Sequence, residues 1–97
     1  MYKAIAYTRA KDGKVREALA ALKAIAAYAA KHYDLKYDLY VQQFGPAHTI
    51  YIIAEYKDLT VIQAVQERVM TDEALRALIK KADTVIEPPT TALLQAV

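Results

Sequence analysis

Two hydrophobic periods alternate along the chain. Met1 to Ala10 sets Tyr2, Ala4, Ala6 and Thr8 against Lys3, Ile5, Tyr7 and Arg9, the two-residue period of a strand. Asp12-Gly13 interrupts it, and from Lys14 the period lengthens. Val15, Ala18, Leu19, Leu22, Ile25, Ala26 and Ala29 then share one helical stripe, with Lys14, Glu17, Lys23 and Lys31 outside it. Ala18 to Ala30 is almost entirely strong helix former. Lys31 and His32 fall in the last turn, where positive charge suits the helix dipole, and Tyr28 and Tyr33 are expected to pack around that end.

Leu35 to Phe44 alternates again, Gly45-Pro46 turns the chain, and Thr49 to Lys57 reads as a third strand rich in Ile and Tyr. Placing Phe44 opposite Thr49 pairs Gln42 with Tyr51, Tyr40 with Ile53 and Asp38 with Glu55 on one face. The other face then carries Leu35, Tyr37, Leu39, Val41, Ile50, Ile52 and Ala54 and is apolar throughout. A one-residue slip would scramble both faces. Asp58 or Thr60 caps a helix to about Met70, with Val61, Ile62, Val65 and Val69 inward. Thr71 caps a further helical segment through Leu75, Leu78, Ile79 and Ala82. Thr84 to Glu87 is expected as a short fourth strand that ends at Pro88-Pro89, which cannot donate ladder hydrogen bonds. Thr91 to Val97 follows as a C-terminal arm. The order β-α-β-β-α-β predicts an α+β, ferredoxin-like single domain over residues 1–97, with an antiparallel sheet. Its first and third strands are central neighbours, setting Tyr7 by Tyr51, Ile5 by Ile53, Lys3 by Glu55 and Arg9 by Thr49.

Composition narrows the chemistry. The chain has no Cys, Ser, Asn or Trp, but 19 Ala and 8 Tyr. Thiol catalysis, disulfides, thiolate metal sites and serine nucleophiles are therefore excluded. With two well-separated His, no metal site is expected. Such a composition resembles both proteins of hot environments and engineered sequences. A net charge of +2 is too small for the dense basic patch of a nucleic-acid binder. RNA-recognition motifs share this element order, but their basic, glycine-containing strand is absent from Thr49 to Lys57, and Glu55 adds negative charge. No run approaches a membrane span, and the expected location is cytoplasmic.

The stretch from Tyr7 to Leu19, a strand entering a long helix through a Lys-Asp-Gly-Lys turn, resembles the dimeric α/β-barrel superfamily. Phe44 to Tyr56, the helix from Leu59 and Glu73-Ala74-Leu75 add to the likeness. The resemblance implies a homodimer of facing sheets, a C-terminal arm reaching the partner, and a pocket between sheet and helices. It implies cofactor-independent monooxygenase-like or cyclase-like chemistry on an aromatic or polyketide-type substrate. The Asn and Trp common beside such substrates are missing, and the second helix lacks the His that haem degraders use. No cofactor is expected.

The tyrosine-bearing face supplies the candidate residues. Tyr7, Arg9, Tyr40, Gln42 and Ile53 would bind a planar, partly polar small aromatic ligand, because aromatic walls stack and a few polar groups orient. His48, Glu55 and Tyr51 are the catalytic candidates, His48 or Glu55 as the base. Each has a plainer reading: Tyr is enriched at dimer interfaces, His48 suits an exposed loop, and Glu55 and Asp38 suit a network with Lys3 and Lys36. The alternative function is a non-enzymatic scaffold dimer, thermophilic or engineered, with no natural ligand.

Overall fold

The computed structural model describes all 97 residues. In order they form β1 (Tyr2–Arg9), α1 (Val15–Tyr33), β2 (Tyr37–Val41), β3 (Thr49–Tyr56), α2 (Leu59–Thr71), α3 (Glu73–Asp83) and β4 (Thr90–Gln95). The four strands make one antiparallel sheet in the order β2-β3-β1-β4. The three helices cover one face, and the other is open.

The β1–β3 register is the expected one, with Lys3 opposite Glu55, Ile5 opposite Ile53, Tyr7 opposite Tyr51 and Arg9 opposite Thr49. The β2–β3 register is corrected by two residues: Tyr40 faces Tyr51, Asp38 faces Ile53 and Leu39 faces Ile52. A shift of two leaves every side chain on its expected face. It does separate Asp38 from Glu55. Lys36 lies 3.7 Å from Asp38 and Lys3 lies 3.6 Å from Glu55, so the two carboxylates sit in a solvated network.

The end of the chain differs more. Thr84–Glu87 makes a single bridge, Ile86 to Ala10, because Val85 and Ile86 still donate backward to Ala82 at the end of α3. The fourth strand begins after Pro88-Pro89, where residues again carry the N–H groups a ladder needs. The stretch expected as an arm is thus β4, paired along β1 from Thr90 to Gln95.

Caps set the helix bounds. The Asp58 carboxylate accepts from Val61 N–H at 3.1 Å to start α2. Asp72, rather than Thr71, caps α3 by accepting from Leu75 N–H at 3.1 Å. Asp34 closes α1 in the left-handed region at φ 51°. The tightest packing joins Ala10, Ala18, Ala21, Leu22, Ile50, Ala82 and Ile86, between α1, α3 and the sheet. A smaller cluster holds Ala29, Leu35, Ala54 and Tyr56. No residue of α2 is buried, and Val61, expected inward, is exposed.

Candidate functional site

The looseness of α2 has a structural consequence. Beneath it β1 presents only Ala4 and Ala6, so small side chains face a helix that does not press down on them. A cavity of about 600 Å³ results, walled by β1, β3, α2 and Thr91 and Leu93 of β4. Toward α1 and α3 lies a second cavity of about 220 Å³, lined only by apolar and aromatic residues such as Leu22, Ile25, Leu39 and Leu75. Tyr37, Ile52 and Val69 border both, so the two form one cleft between sheet and helices. No charged side chain lines either part; Gln66, Thr91 and the tyrosine hydroxyls supply the polarity.

Two of those hydroxyls meet inside. Tyr37 on β2 and Tyr56 at the end of β3 project from the apolar faces of their strands, and their oxygens are 3.4 Å apart. Burial, then the hydrogen bond to Tyr56, raises the Tyr37 pKa, so its phenol stays protonated.

Asp72, between α2 and α3, anchors both to the end of α1. Its carboxylate accepts from Tyr33 Oη at 2.7 Å and Tyr28 Oη at 2.8 Å as well as from the α3 backbone. The Tyr33 hydrogen bond first, then the Leu75 N–H and Tyr28, hold the Asp72 pKa down to about 2. Burial and the same carboxylate push Tyr33 up to about 12. Arg68 lies over the Tyr33 ring at 4.4 Å and donates to the His32 carbonyl at 3.1 Å, tying α2 to α1.

The residues expected from the sequence lie on the opposite, open face. Tyr7 and Tyr51 are in contact, ring centroids 5.7 Å apart. Tyr51 Oη donates to Gln42 Oε1 at 3.0 Å, and Gln42 Nε2 donates to the Phe44 carbonyl at 2.7 Å. Gly45, at φ 109°, leaves room for that amide; a Cβ there would strike it. Arg9 Nε donates to the Ala47 carbonyl at 3.3 Å. Tyr7, Arg9, Gln42, Tyr51 and Thr90 thereby share a recess of about 350 Å³. Tyr40 and Ile53 stand beside it, across from and next but one to Tyr51. His48 and Glu55 are not brought together. They lie at opposite ends of β3, roughly 20 Å apart by strand rise. His48 is exposed at φ 65°, with its carbonyl accepting from Ala10 N–H, and Glu55 is exposed beside Lys3. Neither lines the cleft.

The cleft residues Tyr37, Tyr56, Ile52 and Val69 were read from the sequence only as apolar-face positions or not at all. Their signal was two phenols at the apolar parity of strands whose other members there are Leu, Val, Ile and Ala. No group of three or more His, Asp or Glu side chains gathers in the structure, and no helix is long and apolar enough to cross a membrane.

No protein-family model matches the sequence, and comparison with curated proteins finds no relative. Solved structures do match in shape. A NIPSNAP domain protein from Burkholderia xenovorans superposes with a TM-score of 0.85 at 19% identity, covering 100% of this chain and 95% of that one. A NIPSNAP family protein from Agrobacterium tumefaciens gives 0.79 at 20% identity, over 99% and 92%. An antibiotic biosynthesis monooxygenase gives 0.76 at 22% identity, over 100% and 99%. The α+β arrangement of this chain is therefore a ferredoxin-like fold, the same fold as in these NIPSNAP and antibiotic biosynthesis monooxygenase structures.

Proposed function

We propose that this chain is a homodimeric small-molecule-binding protein, holding an apolar, aromatic-sized ligand in the cleft between sheet and helices. The observation that carries the reading is the cleft itself. Protein interiors are normally close-packed, and unfilled apolar volume costs stability. Here about 600 Å³ stays open without a single charged lining group, within the usual size range of ligand sites. The open sheet face, with exposed Tyr7 and Tyr40 around half-buried Ile5 and Ile53, suits a second copy of the same surface. On this reading Tyr7, Arg9, Tyr40, Gln42 and Ile53 serve the dimer and the recess at its edge.

The test has two arms. Sedimentation should find a dimer for the native chain and a monomer for Tyr51→Arg. Thermal melts should show stabilisation by 2-acetonaphthone or 2-ethylnaphthalene, worth about 2.7 kcal/mol of unfolding free energy at a hundredfold excess over Kd, but not for Val69→Trp, which fills the shared wall. If no neutral naphthalene raises the native melting temperature, the cleft reading fails and a scaffold dimer without ligand remains.

A catalytic reading is supported by the open-face recess and by the fold's occurrence in an antibiotic biosynthesis monooxygenase. Here His48 or Glu55, both outside the recess lining, takes the proton of a phenolic substrate set against Tyr51. Dioxygen then oxidises the phenolate to a quinone, one oxygen atom entering the product and the other leaving as water. The separation of His48 and Glu55 allows only one of them to serve one substrate. Oxygen uptake with a dihydroxynaphthalene, above the uncatalysed rate, should be lost in either His48→Gln or Glu55→Gln. Uptake at the uncatalysed rate in the native chain removes the reading.

A further inference from the structure

We infer that the Tyr37–Tyr56 pair makes the cleft selective for a neutral ligand carrying a hydrogen-bond acceptor, a carbonyl on an aromatic body. The inference rests on the cleft being the ligand site and specifies what it takes.

Two phenols bring two O–H protons. One lies between the oxygens of Tyr37 and Tyr56, whichever residue donates it. The second proton has no acceptor within the protein, since neither hydroxyl makes another hydrogen bond. One donor is thus free where the two cavities join, beside the apolar shared wall of Ile52 and Val69. A phenol whose pKa burial has raised remains a donor at any physiological pH.

The location adds a direction. Tyr37 borders both cavities, together with Ile52 and Val69. A ligand that reaches its hydroxyl has an apolar pocket of about 220 Å³ ahead and the wider cavity behind. Charge is disfavoured in either form. A carboxylate finds no Lys or Arg in the lining and an amine finds no Asp or Glu, so either would lose hydration without replacement. A hydrocarbon fits by shape but leaves the free proton unpaired, whereas a ketone or quinone oxygen accepts it.

Three probes of one shape separate these cases: 2-acetonaphthone, neutral with a carbonyl; 2-ethylnaphthalene, neutral without one; and 2-naphthoate, an anion. Calorimetric titration of the native chain should rank the ketone above the hydrocarbon by roughly threefold to tenfold, with the anion weakest. The double variant Tyr37→Phe/Tyr56→Phe should abolish the difference between ketone and hydrocarbon, whereas either single variant, which leaves one phenol with its O–H unpartnered, should keep it. Equal binding of ketone and hydrocarbon in the native chain overturns the donor inference while the cleft reading stands. So does a ketone preference that survives the double substitution. Naphthoate bound as tightly as the ketone overturns the selectivity for neutral ligands. Failure of all three probes defeats the cleft reading itself.

Discussion

The two ends of the helical layer are built from similar residues and behave differently. Under α1 and α3, Ala10, Ala18, Leu22, Ile50, Ala82 and Ile86 close on one another, and Ile50 is wholly buried. Under α2, Ile62, Val65 and Val69 are only half-buried, and Ala4 and Ala6 face open volume. Alanine serves both ends. Where helix and sheet approach closely, it lets backbones come together; where the helix stands off, it leaves a void. The difference lies in the helix placement, which Asp72 and Arg68 tie to the end of α1. Small residues alone therefore do not announce a binding site. A helix held away from them does.

Substitution should expose this contrast most strongly in the closed end. Ile50→Ala removes fully buried volume and should cost about 2–5 kcal/mol, a fall of roughly 10 °C or more in melting temperature. The corresponding truncation under α2, Val65→Ala, should cost about 1 kcal/mol or less, because its side chain already borders open space. Equal losses in thermal melts would mean that the two ends pack alike.

The Asp72 anchor should give an intermediate effect with a defined pH signature. Its pKa is lowered from 3.8 to about 2, so the ionised carboxylate stabilises the fold. That contribution is complete above about pH 4 and is lost as pH falls toward 2. Asp72→Asn should be less stable than the native chain at pH 7, and the gap should narrow between pH 4 and 2. Melting curves across that range check the sign; a gap that widens on acidification would contradict it.

The smallest effect belongs to the open face. Lys3 and Glu55 are 3.6 Å apart but half-exposed or more, and such pairs contribute little in water. Lys3→Ala should change stability by about 0.5 kcal/mol or less, measured under conditions that leave the oligomeric state unchanged.

What the amino-acid order determined by itself is the facing of β1, β2 and β3 and the approximate span of each helix. Alternation is a local property, and Ile5–Ile53, Tyr7–Tyr51 and Lys3–Glu55 could be matched across β1 and β3 because this register sets apolar beside apolar, aromatic beside aromatic and opposite charges together. The β2–β3 pairing was not legible in this way. A two-residue shift keeps every side chain on its face, so the pattern is the same before and after. Pro88-Pro89 marked a boundary correctly, yet whether the strand lies before or after it depended on how α3 unwinds at Ala82 and on which segment reaches the β1 edge. The cleft was decided entirely by tertiary structure. It is a lack of contact between α2 and strands far away in sequence, and Tyr37 and Tyr56 acquire meaning only when the fold places their hydroxyls together inside it. Local periodicity says which way a side chain points; only the packing of distant elements decides whether it meets a neighbour or empty space.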